Sequence, residues 1–140
     1  MKLKVAKVDM WLAGIADKPG SLAKKLSAIS PSRANLQFVL ARRSPERPGR
    51  GVVFVSGLKT AAQTRAAKKA GFRKSKSLHA LQVQGPNRAG IGAKLTAALA
   101  DAGVDLRGLS AAVVGKDFVL HLALDSAAAA RKAARVLKAV

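Results

Sequence analysis

The chain predicts an α+β fold of two βαββαβ units, each laying two helices on one face of an antiparallel sheet. Three observations carry that reading. The halves are self-similar at a constant offset without a gap, so that Asp17-Lys18-Pro19-Gly20 lies over Asn87-Arg88-Ala89-Gly90, Ala23-Lys24 over Ala93-Lys94, Ile29 over Leu99, and Asn35-Leu36 over Asp105-Leu106. Each half runs through the same alternation of short apolar stretches and stretches of helical period. Gly, Pro and Ser or Thr stand where such elements must start or stop.

In the first half, residues 8–15 read as a strand and residues 21–30 as a helix, with Leu22, Leu26 and Ile29 on one face and Pro31 ending it. Residues 36–41 and 52–58 are two further strands, a hairpin around the basic loop from Arg42 to Arg50. Thr60 caps a second helix over residues 61–70, which Gly71 closes. The polar run Arg73-Lys74-Ser75-Lys76-Ser77 suits an edge strand passing directly into residues 78–85, the first strand of the second half.

In the second half a helix runs from Gly90 to about Ala102 and stops at Gly103; strands over 104–114 and 117–124 flank the turn Gly115-Lys116. Ser126 caps a last helix that runs close to Val140. This order is the split βαβ, or ferredoxin-like, arrangement. The second unit lacks its own fourth strand, and Leu3 to Val8 is expected to pair there and close the exposed edge.

The turn Asp17-Lys18-Pro19-Gly20-Ser21-Leu22 organises the first unit. Pro19 sets φ, Gly20 permits a sharp turn, and the helix beginning near Ser21 leaves backbone N–H groups without intrahelical partners at the positive end of its dipole. A small carboxylate fits such a place; a plain turn is the alternative.

Lys and Arg number 26 against 7 Asp and Glu, a net charge of +19 that suits a polyanionic partner or simply solvated basic faces. The chain has no cysteine, which excludes disulfides, thiolate metal sites and cysteine nucleophiles. Its start lacks an uninterrupted apolar stretch, and the expectation is a cytoplasmic protein with no membrane contact. Catalytic patterns are missing: His79 and His121 fall in strands, the acids show no paired spacing, and neither a nucleophile elbow nor a phosphate-binding lysine loop occurs. No metal and no cofactor are expected.

These residues resemble the ACT domain family of small amino-acid-binding regulatory modules, as a tandem pair dividing the chain into 1–77 and 78–140. Asp17-Lys18-Pro19-Gly20 with Leu22 and Asn35-Leu36 match the family pattern, and Asn87-Arg88-Ala89-Gly90 with Ile91 and Asp105-Leu106 repeat it, departing at Asn87 and Ala89. The resemblance implies paired units, a homodimer and an amino-acid ligand held between units. It implies a site made of Asp17, Pro19, Gly20, Ser21, Leu22, Asn35 and Leu36, and of Asn87, Gly90, Ile91, Asp105 and Leu106, with Asn35 or Asp105 reaching across from a neighbouring unit. A separate protein partner would receive the signal.

The rival reading shares the fold. Arg50-Gly51-Val52-Val53-Phe54-Val55 partly matches the signature of RNA-recognition motifs, and the basic surface offers Arg42, Arg43, Arg47 and Arg50 to nucleic acid. Against it, aromatic residues are only 4% of the chain, too few for a broad base-stacking platform. Laying Gly51 over Asp117 also turns Phe54 towards the helices and leaves Val53 and Val55 on the open face.

Overall fold

Alternating apolar residues and well-placed caps produce eight strands and four helices in the computed structural model, which describes residues 2–140. The order is β1 (Lys4–Val8), β2 (Trp11–Ala16), α1 (Ser21–Ile29), β3 (Phe38–Arg43), β4 (Arg50–Ser56), α2 (Ala61–Lys69), β5 (Arg73–Lys74), β6 (His79–Pro86), α3 (Ile91–Asp101), β7 (Gly108–Val114), β8 (Asp117–Leu124) and α4 (Ala127–Lys138). They form two four-stranded antiparallel sheets, β3-β4-β2-β5 and β1-β6-β8-β7. The ferredoxin-like α+β class read from the sequence is the fold observed.

The first unit is Asp9–Ser75. Its core joins Trp11 and Ala13 of β2 and Val53 and Val55 of β4 to Ile29 of α1, Ala67 of α2, Leu58 and Phe72. Alanine at position 67, fully buried, lets α2 approach the sheet closely. The second unit joins residues 2–8 to Lys76–Val140. Its larger core sets Leu81 and Val83 of β6 and Phe118, Leu120, Leu122 and Leu124 of β8 against Leu95 and Leu99 of α3 and Ala130, Ala133 and Leu137 of α4, with Leu3 at its margin.

The N-terminal strand pairs where the sequence placed it. β1 runs antiparallel to β6 from Lys4 opposite Gln84 to Val8 opposite Ala80, so it takes the fourth-strand position of the second sheet. Residues 2–8, counted with the first half in the contiguous division 1–77 and 78–140, thus pack with the second sheet.

Three details differ from the sequence reading. The strand expected over 8–15 starts only at Trp11, with Val8 ending β1 in the other sheet and Asp9 and Met10 between the two. The run from Arg73 into residues 78–85 is likewise broken, because β5 pairs only with Trp11 and Leu12 of β2 whereas β6 belongs to the other sheet.

The third is a register slip. Ala13 pairs with Val53 as Val83 pairs with Leu120, so Gly51 corresponds to Phe118 and not to Asp117. One residue reverses every side chain of a strand. Val53 and Val55 therefore face the helices, fully buried, while Phe54 lies on the opposite face between Leu12 and Leu40.

The second helix of the first unit and the first helix of the second unit end in the same device. At α2 and α3, Gly71 and Gly103 take φ of 94° and 75°, and the following residues Phe72 and Val104 donate back to Ala67 and Leu99. That satisfies terminal carbonyls and turns the chain into the next element.

Candidate functional site

The turn from Asp17 to Leu22 closes β2 and opens α1. The Asp17 backbone N–H donates to the Gly49 carbonyl at 3.0 Å, which ties the turn to the loop before β4. Gly20 is the N-terminal cap of α1 with φ of 87°, a left-handed conformation that suits glycine, and a Cβ there would meet nothing within 4 Å. No side chain caps α1.

The second unit repeats this geometry. Asn87 N–H donates to the Lys116 carbonyl at 2.8 Å, Gly90 caps α3 with φ of 81°, and again no side chain caps the helix. The other two helices are treated differently: Thr60 accepts from the Gln63 amide within a full capping box, and Ser126 accepts from the Ala129 amide. A side-chain cap takes the N–H of the second or third helical residue. At α1 those are Leu22 and Ala23, and at α3 Gly92 and Ala93.

The predicted residues fall into two groups in each unit. Asp17, Pro19 and Gly20 are exposed in the turn, Ser21 is the first helical residue, and Leu22 packs onto the first core. Asp17 Oδ2 lies 2.9 Å from Arg43 Nε, so this acceptor is already shared with a guanidinium. Asn35 is exposed, its backbone carbonyl accepting from Gln37 Nε2 at 3.1 Å, and Leu36 packs on the core. The second unit follows suit, with Asn87 and Gly90 exposed, Ile91 and Leu106 packed on its core, and Asp105 exposed.

Within one unit these groups lie at opposite ends of the first helix. The nine residues of α1 span about 13 Å at 1.5 Å each, and Asn35 follows its far end. Gln37 bonds to Ser56 at one end of β4 while Asp17 bonds beside Gly49 at the other.

Beside the turn is a cleft of about 510 Å³ lined by Gly14, Ile15 and Ala16 of β2, Lys18, Ser21, Lys24, Lys25 and Ala28, Arg50 and Ala70. It opens along the part of β2 that β5 does not reach. Lys25 Nζ donates to the Ala70 carbonyl at 2.8 Å, and Arg50 pairs across from Ala16. Sequence reasoning assigned Arg50 to a basic loop and gave Lys24 and Lys25 no role in a site. Their convergence depends on the pairing of Ala16 with Arg50, for which the chain carries no local signal.

The histidines sit in strands, as read. Burial pushes the His121 imidazole below its ordinary value of 6.5. No group of His, Cys, Asp and Glu able to hold a metal occurs among the described residues, and no helix among them is long and apolar enough to cross a membrane.

Comparison with known proteins bears on both units. The family model of the ACT domain matches residues 80–140. No curated protein matches the chain. Among solved structures, protein BT0572 from Bacteroides thetaiotaomicron is similar with a TM-score of 0.78 at 15% identity, over 96% of this chain and 89% of that one. The regulatory subunit of aspartate kinase from Thermus flavus superposes with a TM-score of 0.64 at 15% identity, over 98% and 97% of the two chains. Its counterpart from Thermus thermophilus, in a ligand-free form, gives 0.62 at 16% identity over 95% and 97%. Residues 80–140 therefore match the ACT domain, and both units of the chain carry the ACT-like ferredoxin-like fold.

Proposed function

We propose that the chain is a non-catalytic regulatory protein that binds a small amino acid at the turn opening α1, and at its counterpart opening α3, and couples binding to oligomeric state or to a protein partner. One observation carries this reading: the helices after the two repeated turns start on a left-handed glycine without a side-chain cap, whereas α2 and α4 are capped by Thr60 and Ser126. The amides of Leu22 and Ala23 suit a ligand carboxylate, aided by the helix dipole. Asp17 offers an oxygen for the ammonium.

The ACT family match and the likeness to regulatory subunits of aspartate kinase support regulation over turnover. Coupling requires that the ligand bind two arrangements of paired units with different affinity. The exposed arginines Arg42, Arg43 and Arg47 and the charge of +19 favour salt-sensitive nucleic-acid binding as the second reading.

Calorimetric titration of the nuclease-treated chain with each free amino acid tests the proposal. Ser21→Asp places a carboxylate at the first turn of α1; it is expected to preserve or raise stability by about 0.3–1 kcal/mol through the dipole while displacing a ligand carboxylate. Binding of one amino acid, weakened by Ser21→Asp, is the expected outcome. Silence across all amino acids, with binding only to a short RNA or DNA at low salt, would move the function to the basic surface.

A further inference from the structure

The cleft beside β2 gathers Lys18, Lys24, Lys25 and Arg50, and no carboxylate side chain is among its lining residues. Asp17, the acid nearest in sequence, is paired with Arg43 instead. Arg50 lies against the strand because position 14 is glycine: a Cβ there would come within 3.2 Å of its Nη2. The Lys25 ammonium is held at the end of α2 by the Ala70 carbonyl and keeps two N–H donors for other acceptors. Like charges drawn into one concave site repel one another, and an anion seated among them relieves that repulsion.

The equivalent place in the second unit is built differently, although a separate cleft beside α4 also carries cations, Lys7, Arg131 and Lys138. By the repeat and the strand register, Lys18 and Lys24 correspond to Arg88 and Lys94, but Lys25 corresponds to Leu95, which is 1% exposed in the core. Arg50 corresponds to Asp117, since Pro86 pairs with Asp117 as Ala16 pairs with Arg50. Leu3 reaches into the space beside Gly85, the counterpart of Ile15. The cation cluster and the opening beside it thus occur together in one unit and are both missing from the equivalent place in the other.

We propose that this cleft binds a small ligand bearing two negative charges, a dicarboxylate or a phosphate, between Arg50 and the lysines Lys18 and Lys24. A guanidinium offers paired N–H donors to such a group, and the lysines add charge. The inference goes beyond the amino-acid reading: it specifies the ligand's charge, and its lining side chains include no acid to receive an ammonium.

Calorimetry on the full chain at fixed ionic strength tests it with succinate, inorganic phosphate, aspartate, alanine and lysine as the probes. At least one of the first two is expected to bind, and which of them does so separates dicarboxylate from phosphate chemistry; aspartate, which adds an ammonium to succinate's two carboxylates, is expected to bind more weakly than succinate, and alanine and lysine are expected not to bind. Arg50→Ala and Lys24→Ala, both on exposed residues, should each weaken binding by at least about tenfold. Arg135→Ala, which removes one charge from the exposed face of α4, should leave it unchanged. Equal binding by all variants would overturn the inference by reducing it to general neutralisation of a cationic protein, and so would the absence of dianion binding. Binding of aspartate, alanine or lysine without succinate or phosphate would overturn it too while leaving the amino-acid reading intact; binding of succinate or phosphate with no response to any free amino acid would do the reverse.

Discussion

In the first unit the edge of β2 is covered only at Trp11 and Leu12, by the two-residue strand β5, whereas in the second unit β1 covers β6 from Ala80 to Gln84. The same position in one fold is left open in one sheet and closed in the other by a strand from the far end of the sequence. Around it the large and small residues are exchanged. Ile15 packs against Gly51 in the first unit, and in the second Gly85 pairs with Phe118, which takes up the room. Volume is conserved across the pair, and that is how two sequences with little identity fill one architecture. The difference also teaches where a ligand has space: closing an edge with Leu3 uses up the place that the first unit lines with cations.

Removing residues 2–8 should break this comparison most severely. It exposes the β6 edge and deletes Leu3 from the second core, so the loss is expected to exceed the roughly 2–5 kcal/mol that truncating one buried leucine costs. Hydrogen exchange reads the location: β6 amides should lose protection while those of β2 and β4 keep theirs. Unchanged protection in β6 would show that β1 is not what closes the sheet.

The glycines give a finer contrast. A Cβ on Gly85 would meet Leu3 Cδ2 at 2.5 Å and Phe118 Cε2 at 3.3 Å, so Gly85→Ala should cost about 1–3 kcal/mol by overpacking. At Gly14 the nearest atom is the mobile end of Arg50, and Gly14→Ala should stay within about 0.5 kcal/mol. Denaturant melts of the two variants measure the difference. At the repeated turns the units are expected to agree, with Gly20→Ala and Gly90→Ala each costing about 1–2 kcal/mol for the left-handed backbone. Unequal losses would mean that the two turns are not built alike.

The smallest effect concerns pH. His121 holds the place in β8 that Phe54 holds in β4, the first opposite Gln82 and the second opposite its counterpart Leu12. Burial lowers the His121 pKa below 6.5, so the unfolded chain takes up a proton before the folded one does. Stability is therefore complete above about pH 6.5 and falls as the pH drops below it. His121→Phe, which copies the first unit, should flatten that part of the profile in melts between pH 7 and pH 5.

The turns, caps and periodicities made much of the fold legible. Thr60 and Ser126 announce their helices, Gly71 and Gly103 end theirs, and the gapless repeat aligns Gly20 with Gly90 and so finds both uncapped helix starts. Leu3 to Val8 was legible as a spare strand because the second half needed one. The facing of β4 was not: Val52-Val53-Phe54-Val55 is apolar on both faces, so its alternation carries no phase, and aligning Gly51 with Asp117 inverted it.

By itself the sequence determined the class of fold, the count of units, the positions of the turns and the glycines that shape them, since these depend on contacts a few residues apart. Tertiary structure alone decided which sheet owns each strand, which face of β4 meets the helices, and that Arg50 joins Lys18, Lys24 and Lys25 in one cleft. Those outcomes rest on hydrogen-bond register between residues distant in the chain, where shifting a strand by one residue reverses every side chain while leaving its local pattern unchanged.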